Sequence, residues 1–142
     1  MTEEIRKPKL LFLDDRTKRL HSALERFSAD YEVVLVCNVK ECLRQLANND
    51  FDIVHMDHDL RGVDFEDPDS TECGMEVVRY LEKTGWPEEK KKPEFRVHSS
   101  NIFAGHLMFR ELKRIGLTCY YERWVYDEPK HMKYDEKGFP LP

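Results

Sequence analysis

Apolar positions along the chain form two kinds of run that alternate. Lys9-Leu10-Leu11-Phe12-Leu13 is an unbroken apolar stretch that stops at Asp14-Asp15, the pattern of a strand covered on both faces. From Thr17 to Ser28 the apolar residues Leu20, Ala23, Leu24 and Phe27 recur at helical spacing with polar residues between them. Tyr31 to Cys37 is apolar and β-branched again, and Asn38 stands where a helix cap belongs before Val39, Cys42, Leu43 and Leu46. Asp52 to Asp57 predicts a third strand. After it the polar stretch "LRGVDFEDPDSTE", longer than most such loops, leads into a helix carrying Met75, Val78 and Leu81 and stopping near Gly85. Phe95 to His98 predicts a fourth strand, Asn101 a cap, and Ala104, Met108, Leu112 and Ile115 a helix ending at Gly116. Leu117 to Tyr121 predicts the fifth strand.

Five strands alternating with four helices specify an α/β fold, a single doubly wound five-stranded parallel sheet, because each crossover is right-handed and covers a face. The strand order expected is 2-1-3-4-5. It makes the first and third strands neighbours at the switch point, where ligands bind beyond the carboxyl ends of the strands. One domain is expected over residues 1–126. Residues 127–142, with Pro129, Pro140 and Pro142, show no period and read as a C-terminal tail.

Composition narrows the function classes. Hydrophobic residues make up 40% of the 142, enough for a packed core despite 36% charged residues. A formal charge of −5 gives no general attraction to nucleic acid, so bulk DNA binding is not expected. The start, MTEEIRKPK, lacks a signal-type apolar segment, and no run approaches the length of a membrane span, which makes a cytoplasmic protein the expectation. Cys37, Cys42, Cys73 and Cys119 include no C-x-x-C pair and read as reduced, mostly buried thiols. The charged patch "PEEKKKPE" reads as a solvated loop.

The residues that close the strands are the unusual ones: Asp14-Asp15, Asp57-His58-Asp59 and His98-Ser99-Ser100-Asn101. The topology carries all three groups to one rim of one sheet, where adjacent strands lie about 4.8 Å apart. Each group alone reads as strand-end solvation; together they invite a cation, since grouped carboxylates repel one another. Oxygen ligands favour a hard divalent ion, Mg²⁺ or Mn²⁺, and Asp14, Asp15 and Asp57 are assigned to it. His58 and His98 titrate nearest neutrality, so either suits proton transfer or a phosphoryl oxygen, and a neighbouring carboxylate would favour the charged imidazolium; His98 reads equally as a capped or buried histidine completing a hydrogen-bond network. His55, inside the strand, reads as packing. Ser99, Ser100 and Asn101, at the start of a helix, suit a phosphate, with plain capping by Asn101 as the compatible alternative. Arg16 is either a phosphate ligand or a surface residue.

At these residues the chain resembles the receiver domains of bacterial two-component signalling, which share this receiver- and flavodoxin-like order. The acidic pair after the first strand, "DIVHMD" ending the third and a serine after the fourth carry the likeness, over roughly residues 9 to 124. In receivers the acidic pair binds Mg²⁺ and the third-strand aspartate is phosphorylated, which the resemblance transfers to Asp14, Asp15 and Asp57. Receivers also close the fifth strand with a lysine, whereas this chain has Tyr120-Tyr121-Glu122-Arg123-Trp124. "LFLDD", "MDHDL" with "GMEVVRYLE", and "VHSSN" together resemble more closely the cyclic-phosphate processing receiver-like family. That resemblance implies metal-dependent phosphoesterase chemistry on a cyclic nucleotide or a cyclic-phosphate RNA end.

The expected roles follow from that likeness: Asp57, His58, Asp59 and His98 in catalysis, Ser99, Ser100, Asn101 and Arg16 on the substrate, and Asp14, Asp15 and Asp57 on the metal. Two other classes stay open, a phospho-accepting signalling receiver and a non-catalytic nucleotide- or protein-binding module. The insertion around "DFEDPDSTEC" falls outside the motifs.

Overall fold

The computed structural model describes residues 6–60, 62 and 65–122. Five strands and four helices alternate: β1 (Lys9–Leu13), α1 (Thr17–Phe27), β2 (Glu32–Val36), α2 (Val39–Asn48), β3 (Ile53–Met56), α3 (Gly74–Thr84), β4 (Glu94–Val97), α4 (Ile102–Arg114) and β5 (Cys119–Tyr121). All the strands are parallel, in the order β2-β1-β3-β4-β5 that the alternation of runs predicts. Residues 127–142, the expected tail, lie outside the described residues. No described helix is long and apolar enough to cross a membrane.

The continuous apolar runs have a direct cause in the two faces of this sheet. Leu11, Leu13, Val54, Met56, Phe95 and Val97 pack on one side against Cys42, Leu46, Val78, Leu81, Met108 and Leu112 from α2, α3 and α4. Leu10, Phe12 and Ile53 pack on the other against Ala23, Leu20 and Phe27 of α1. Alternate side chains along one strand thus enter different cores. Burying a side chain of this size is worth about 1.5–3 kcal/mol, so each face holds its helices firmly. Of the four thiols, Cys42, Cys73 and Cys119 are buried and Cys37 is exposed.

Caps fall where the sequence places them. The Asn38 side chain accepts the amide of Glu41 at 2.8 Å to start α2, and that of Asn101 accepts the amide of Ala104 at 3.2 Å to start α4. Three strands stop one residue short of expectation, β2 at Val36, β3 at Met56 and β4 at Val97, so Asp57 and His98 lie just beyond β3 and β4. Their amides still reach the neighbouring strands, Asp57 to the Leu13 carbonyl at 2.9 Å and His98 to that of Met56 at 2.8 Å. The backbone is therefore held in register one step past the ladder. Gly74 opens α3 against this rim, its amide donating to the His58 carbonyl at 2.8 Å. A Cβ there would sit 2.2 Å from the Asp57 carbonyl oxygen, so glycine is what allows the helix to approach.

Candidate functional site

The register places Leu13 beside Met56 and Met56 beside Val97. The next residue on each strand, Asp14, Asp57 and His98, follows on the face that carries Phe12 and His55. One ligand atom from each of the three lies within 4.8 Å of the others, and all three are buried. Local turns fix the carboxylates: Asp14 Oδ1 accepts the Arg16 amide at 2.9 Å, and Asp57 Oδ1 accepts the His58 amide at 2.8 Å. Their other oxygens point into the cluster. Asp14 Oδ2 meets His98 Nε2 at 2.9 Å, while Asp57 Oδ2 is buried without a hydrogen-bond donor among the described residues.

The positive charge beside these acids belongs to a residue that the sequence reading overlooked. Arg19, in the first turn of α1, places Nε 3.0 Å from Asp14 Oδ2 and a terminal nitrogen 3.6 Å from Asp57 Oδ2. A signal was available. Arg19 stands four residues before Ala23, so it shares the buried side of the helix that covers this face.

Burial, and then the charge of Asp14, push the Asp57 carboxyl up to about 8, against the weaker pull of Arg19 and the His58 amide. His98 moves the other way from the imidazolium expected on sequence. Burial depresses it below the ordinary imidazole range although Asp14 opposes the shift. His55 is pushed down to about 4 by burial, with Glu122 working against that. Two neutral rings meeting at 2.7 Å between their Nδ1 atoms must share one proton. A donor Nε2–H on His98 toward Asp14 makes the His98 Nδ1 an acceptor and the His55 Nδ1 the donor. Phe12 stacks on His98 at 4.8 Å between centroids. His55 is packed, as the sequence suggests, and it also pairs with His98 through Nδ1.

A second group sits one residue further along. Asp59 Oδ1 contacts His58 Nδ1 at 2.7 Å and accepts the Glu66 amide and the Asn101 side-chain amide at 3.1 Å each, and Asp59 Oδ2 accepts the Phe65 amide at 2.7 Å. His58 Nε2 is buried with no partner among the described residues. Glu66, itself buried, accepts from the Leu60 amide at 3.2 Å and the Ser70 hydroxyl at 2.9 Å. The insertion read as lying outside the motifs is therefore anchored to the rim, through backbone amides.

Other expected site residues are placed differently. Asp15 does not join the cluster, because successive side chains of an extended chain point to opposite sides; its Oδ2 accepts from the Gly62 amide. Arg16 is exposed and, with Asp15, Cys37 and Gly62, lines a crevice of about 400 Å³. The Asn101 side chain caps α4 with Oδ1 and donates from Nδ2 to Asp59 and, at 3.4 Å, to the Glu66 carbonyl, which leaves it no amide for a phosphate. Ser99 accepts the Asn101 amide at 3.1 Å on its hydroxyl, and Ser100 is exposed. At the exit of β5, where a receiver lysine would stand, the residue is Glu122, with Oε2 3.6 Å from His55 Nε2. The carboxylates of Asp14 and Asp57 fit a divalent cation, since a buried carboxylate oxygen without a donor is what an ion would satisfy.

A family model described as cyclic-phosphate processing receiver domain matches residues 9–114. No curated protein matches the chain. Solved structures similar to it include receiver domains and response regulators. That of Francisella response regulator 1452 has a TM-score of 0.59 at 16% identity, covering 85% of this chain and 88% of that one. A CheY-like response regulator receiver domain protein from Methanospirillum hungatei gives 0.59 at 17% identity, over 84% of this chain and 83% of that one. The response regulator TrrA of Thermotoga maritima, solved in complex with Mg²⁺-BeF, gives 0.59 at 17% identity over 84% and 89%. At such identities the likeness establishes the fold.

Proposed function

The chain belongs to the cyclic-phosphate processing receiver domain family, and from that premise we propose that it is a metal-dependent phosphoesterase that opens a cyclic phosphate ester. Water adds across one P–O bond of the ring, leaving a phosphate monoester and a free hydroxyl. Asp14 and Asp57 would hold Mg²⁺ or Mn²⁺, which when bound neutralises charge on the phosphoryl oxygen and lowers the pKa of its water. The observation that carries this reading is the imidazole of His98 inside the buried acidic pair, 2.9 Å from Asp14. Phospho-acceptance does not require an imidazole there, whereas ester cleavage needs groups that hold and move protons.

His98, oriented by His55 and Phe12, holds its Nε2–H on Asp14 Oδ2 at 2.9 Å, and as a catalytic donor it would turn that hydrogen from Asp14 to the oxygen on which charge develops during cleavage. His58, with Nδ1 held by Asp59 and Nε2 without a partner among the described residues, is the candidate to take the proton of the attacking water. Asp59 is then a positioning residue, already saturated with donors. The crevice beside Asp15 and Arg16 gives the substrate an approach, with the Arg16 guanidinium suited to its phosphate. The substrate class is a cyclic nucleotide or the cyclic-phosphate end of an RNA.

A second reading has an observation of its own. Asp57 stands just past β3 beside Asp14, in the sheet order of receiver domains, and one similar structure is a Burkholderia pseudomallei response regulator with a phosphorylated aspartic acid. On that reading Asp57 accepts a phosphoryl group. Incubating the protein with Mg²⁺ or Mn²⁺ and 2′,3′- or 3′,5′-cyclic nucleotides, with acetyl phosphate in parallel, separates the two. Ring opening that is lost in Asp57→Asn and His98→Ala supports the hydrolase. Stable labelling of Asp57 without ring opening supports the receiver, and nucleotide binding with neither supports a non-catalytic module.

A further inference from the structure

We propose that Arg19 is the resident cation of the acidic pair: its guanidinium occupies the place beside Asp14 and Asp57 that a divalent ion takes, and it leaves when the ion enters. The inference rests on the metal-dependent reading above and adds to it a residue of this chain that regulates the site.

The contacts of Arg19 are electrostatic rather than directional. Nε lies 3.0 Å from Asp14 Oδ2, yet its N–H is not aligned for a hydrogen bond, and Asp57 Oδ2 at 3.6 Å also has none among the described residues. A structural arginine in the same molecule looks different. Arg79 places both Nε and a terminal nitrogen 2.7 Å from Glu76 Oε2 and also donates to the carbonyls of Pro68 and Ser70. Short, aligned bonds of that kind resist exchange, whereas a contact made by charge alone can be replaced by a denser charge.

The charge count points the same way. Two carboxylates face one guanidinium, so the ionised pair keeps a residual negative charge that a divalent ion would cancel. Arg19 also has a way out, since its side chain is 14% exposed while those of Asp14 and Asp57 are 0% and 2% exposed. It stands on the first turn of α1 at the end of a long flexible side chain. Once displaced, the guanidinium remains tethered within reach of the same rim, with a planar donor fork suited to phosphoryl oxygens.

Nuclear magnetic resonance of the arginine Nε–H groups in the full chain tests this during a titration with magnesium chloride, with calorimetry recording ion binding. The Arg19 Nε–H resonance should shift, and its hydrogen exchange should accelerate, in proportion to site occupancy. Arg19→Met should bind the ion about tenfold more tightly, the scale on which one adjacent charge shifts an ionic equilibrium. A merely structural arginine would predict weaker binding in that variant. If the ion binds and the Arg19 signal does not move, or Arg19→Met binds no more tightly, displacement is overturned and the metal-dependent reading survives. If no ion binds, both fall. Should Arg19→Met fail to fold, the wild-type resonance decides by itself.

Discussion

Two acidic clusters sit side by side at one rim of the sheet and differ in how their oxygens are satisfied. Asp59 has four donors: the His58 ring, the amides of Phe65 and Glu66, and the Asn101 side chain. Asp57 is buried beside Asp14 and has an oxygen with no donor among the described residues, where it meets the charge of Arg19 at 3.6 Å. A saturated carboxylate holds shape, and an unsatisfied one stores a demand that a ligand meets. Two acids of one motif, two residues apart, are therefore held differently, Asp57 with an unmet demand and Asp59 tied to the loop and helix that frame it.

The same substitution at the two positions sharpens the contrast. Asp57→Asn should lower ring opening by at least about 10²- to 10⁴-fold, a loss on the scale of a group acting on the reacting atoms. The metal-free variant should nonetheless unfold at higher urea than wild type at pH 8, because a buried repulsion with Asp14 is gone. The gain expected is about 1–3 kcal/mol. Asp59→Asn carries the opposite sign. It leaves one or more buried donors without an acceptor and should cost about 2–4 kcal/mol, with faster hydrogen exchange at the amides of Phe65 and Glu66. Equal destabilisation by the two variants would erase the distinction. Asn101→Ala removes a cap and one donor to Asp59 together, and should cost about 1–2 kcal/mol in the same urea measurement.

The architecture was legible because burial on both faces forces β1 and β3 to be apolar without interruption, and because helical spacing marks α1, α2 and α4. Convergence of Asp14, Asp57 and His98 was legible too, as a consequence of parallel strands that end in register. Arg19 was not, since a cation in the first turn of an amphipathic helix ordinarily faces water. The tie between Asp59 and the insertion was hidden for another reason. Its donors include the backbone amides of Phe65 and Glu66, and an amide carries no signature in a sequence. Asp15 was grouped with Asp14 by adjacency, although neighbours on an extended chain diverge. For His98 the sequence offers both an imidazolium favoured by a carboxylate and a buried histidine completing a hydrogen-bond network, and burial is the stronger influence.

The smallest effect is a shape in the pH profile of stability, measured on metal-free protein with chelator present. Asp57 is raised from 3.8 to about 8, so its contribution is fully present below 3.8 and is lost as pH rises through about 8. His55 is lowered from 6.5 to about 4, so its contribution is present above 6.5 and is lost as pH falls through about 4. His98, also lowered, acts in the same sense as His55. Between about pH 4 and 6.5 the two kinds of group oppose each other, with each limited to about 1.4 kcal/mol per pH unit. Above pH 6.5 only Asp57 among the three is still titrating, and wild-type stability should decline toward pH 8. Asp57→Asn removes that decline and leaves a curve that rises to about pH 6.5 and then stays level. A variant that still lost stability between pH 6.5 and 8 would assign the unmet charge at this rim to a group other than Asp57, and the contrast with Asp59 would go with it.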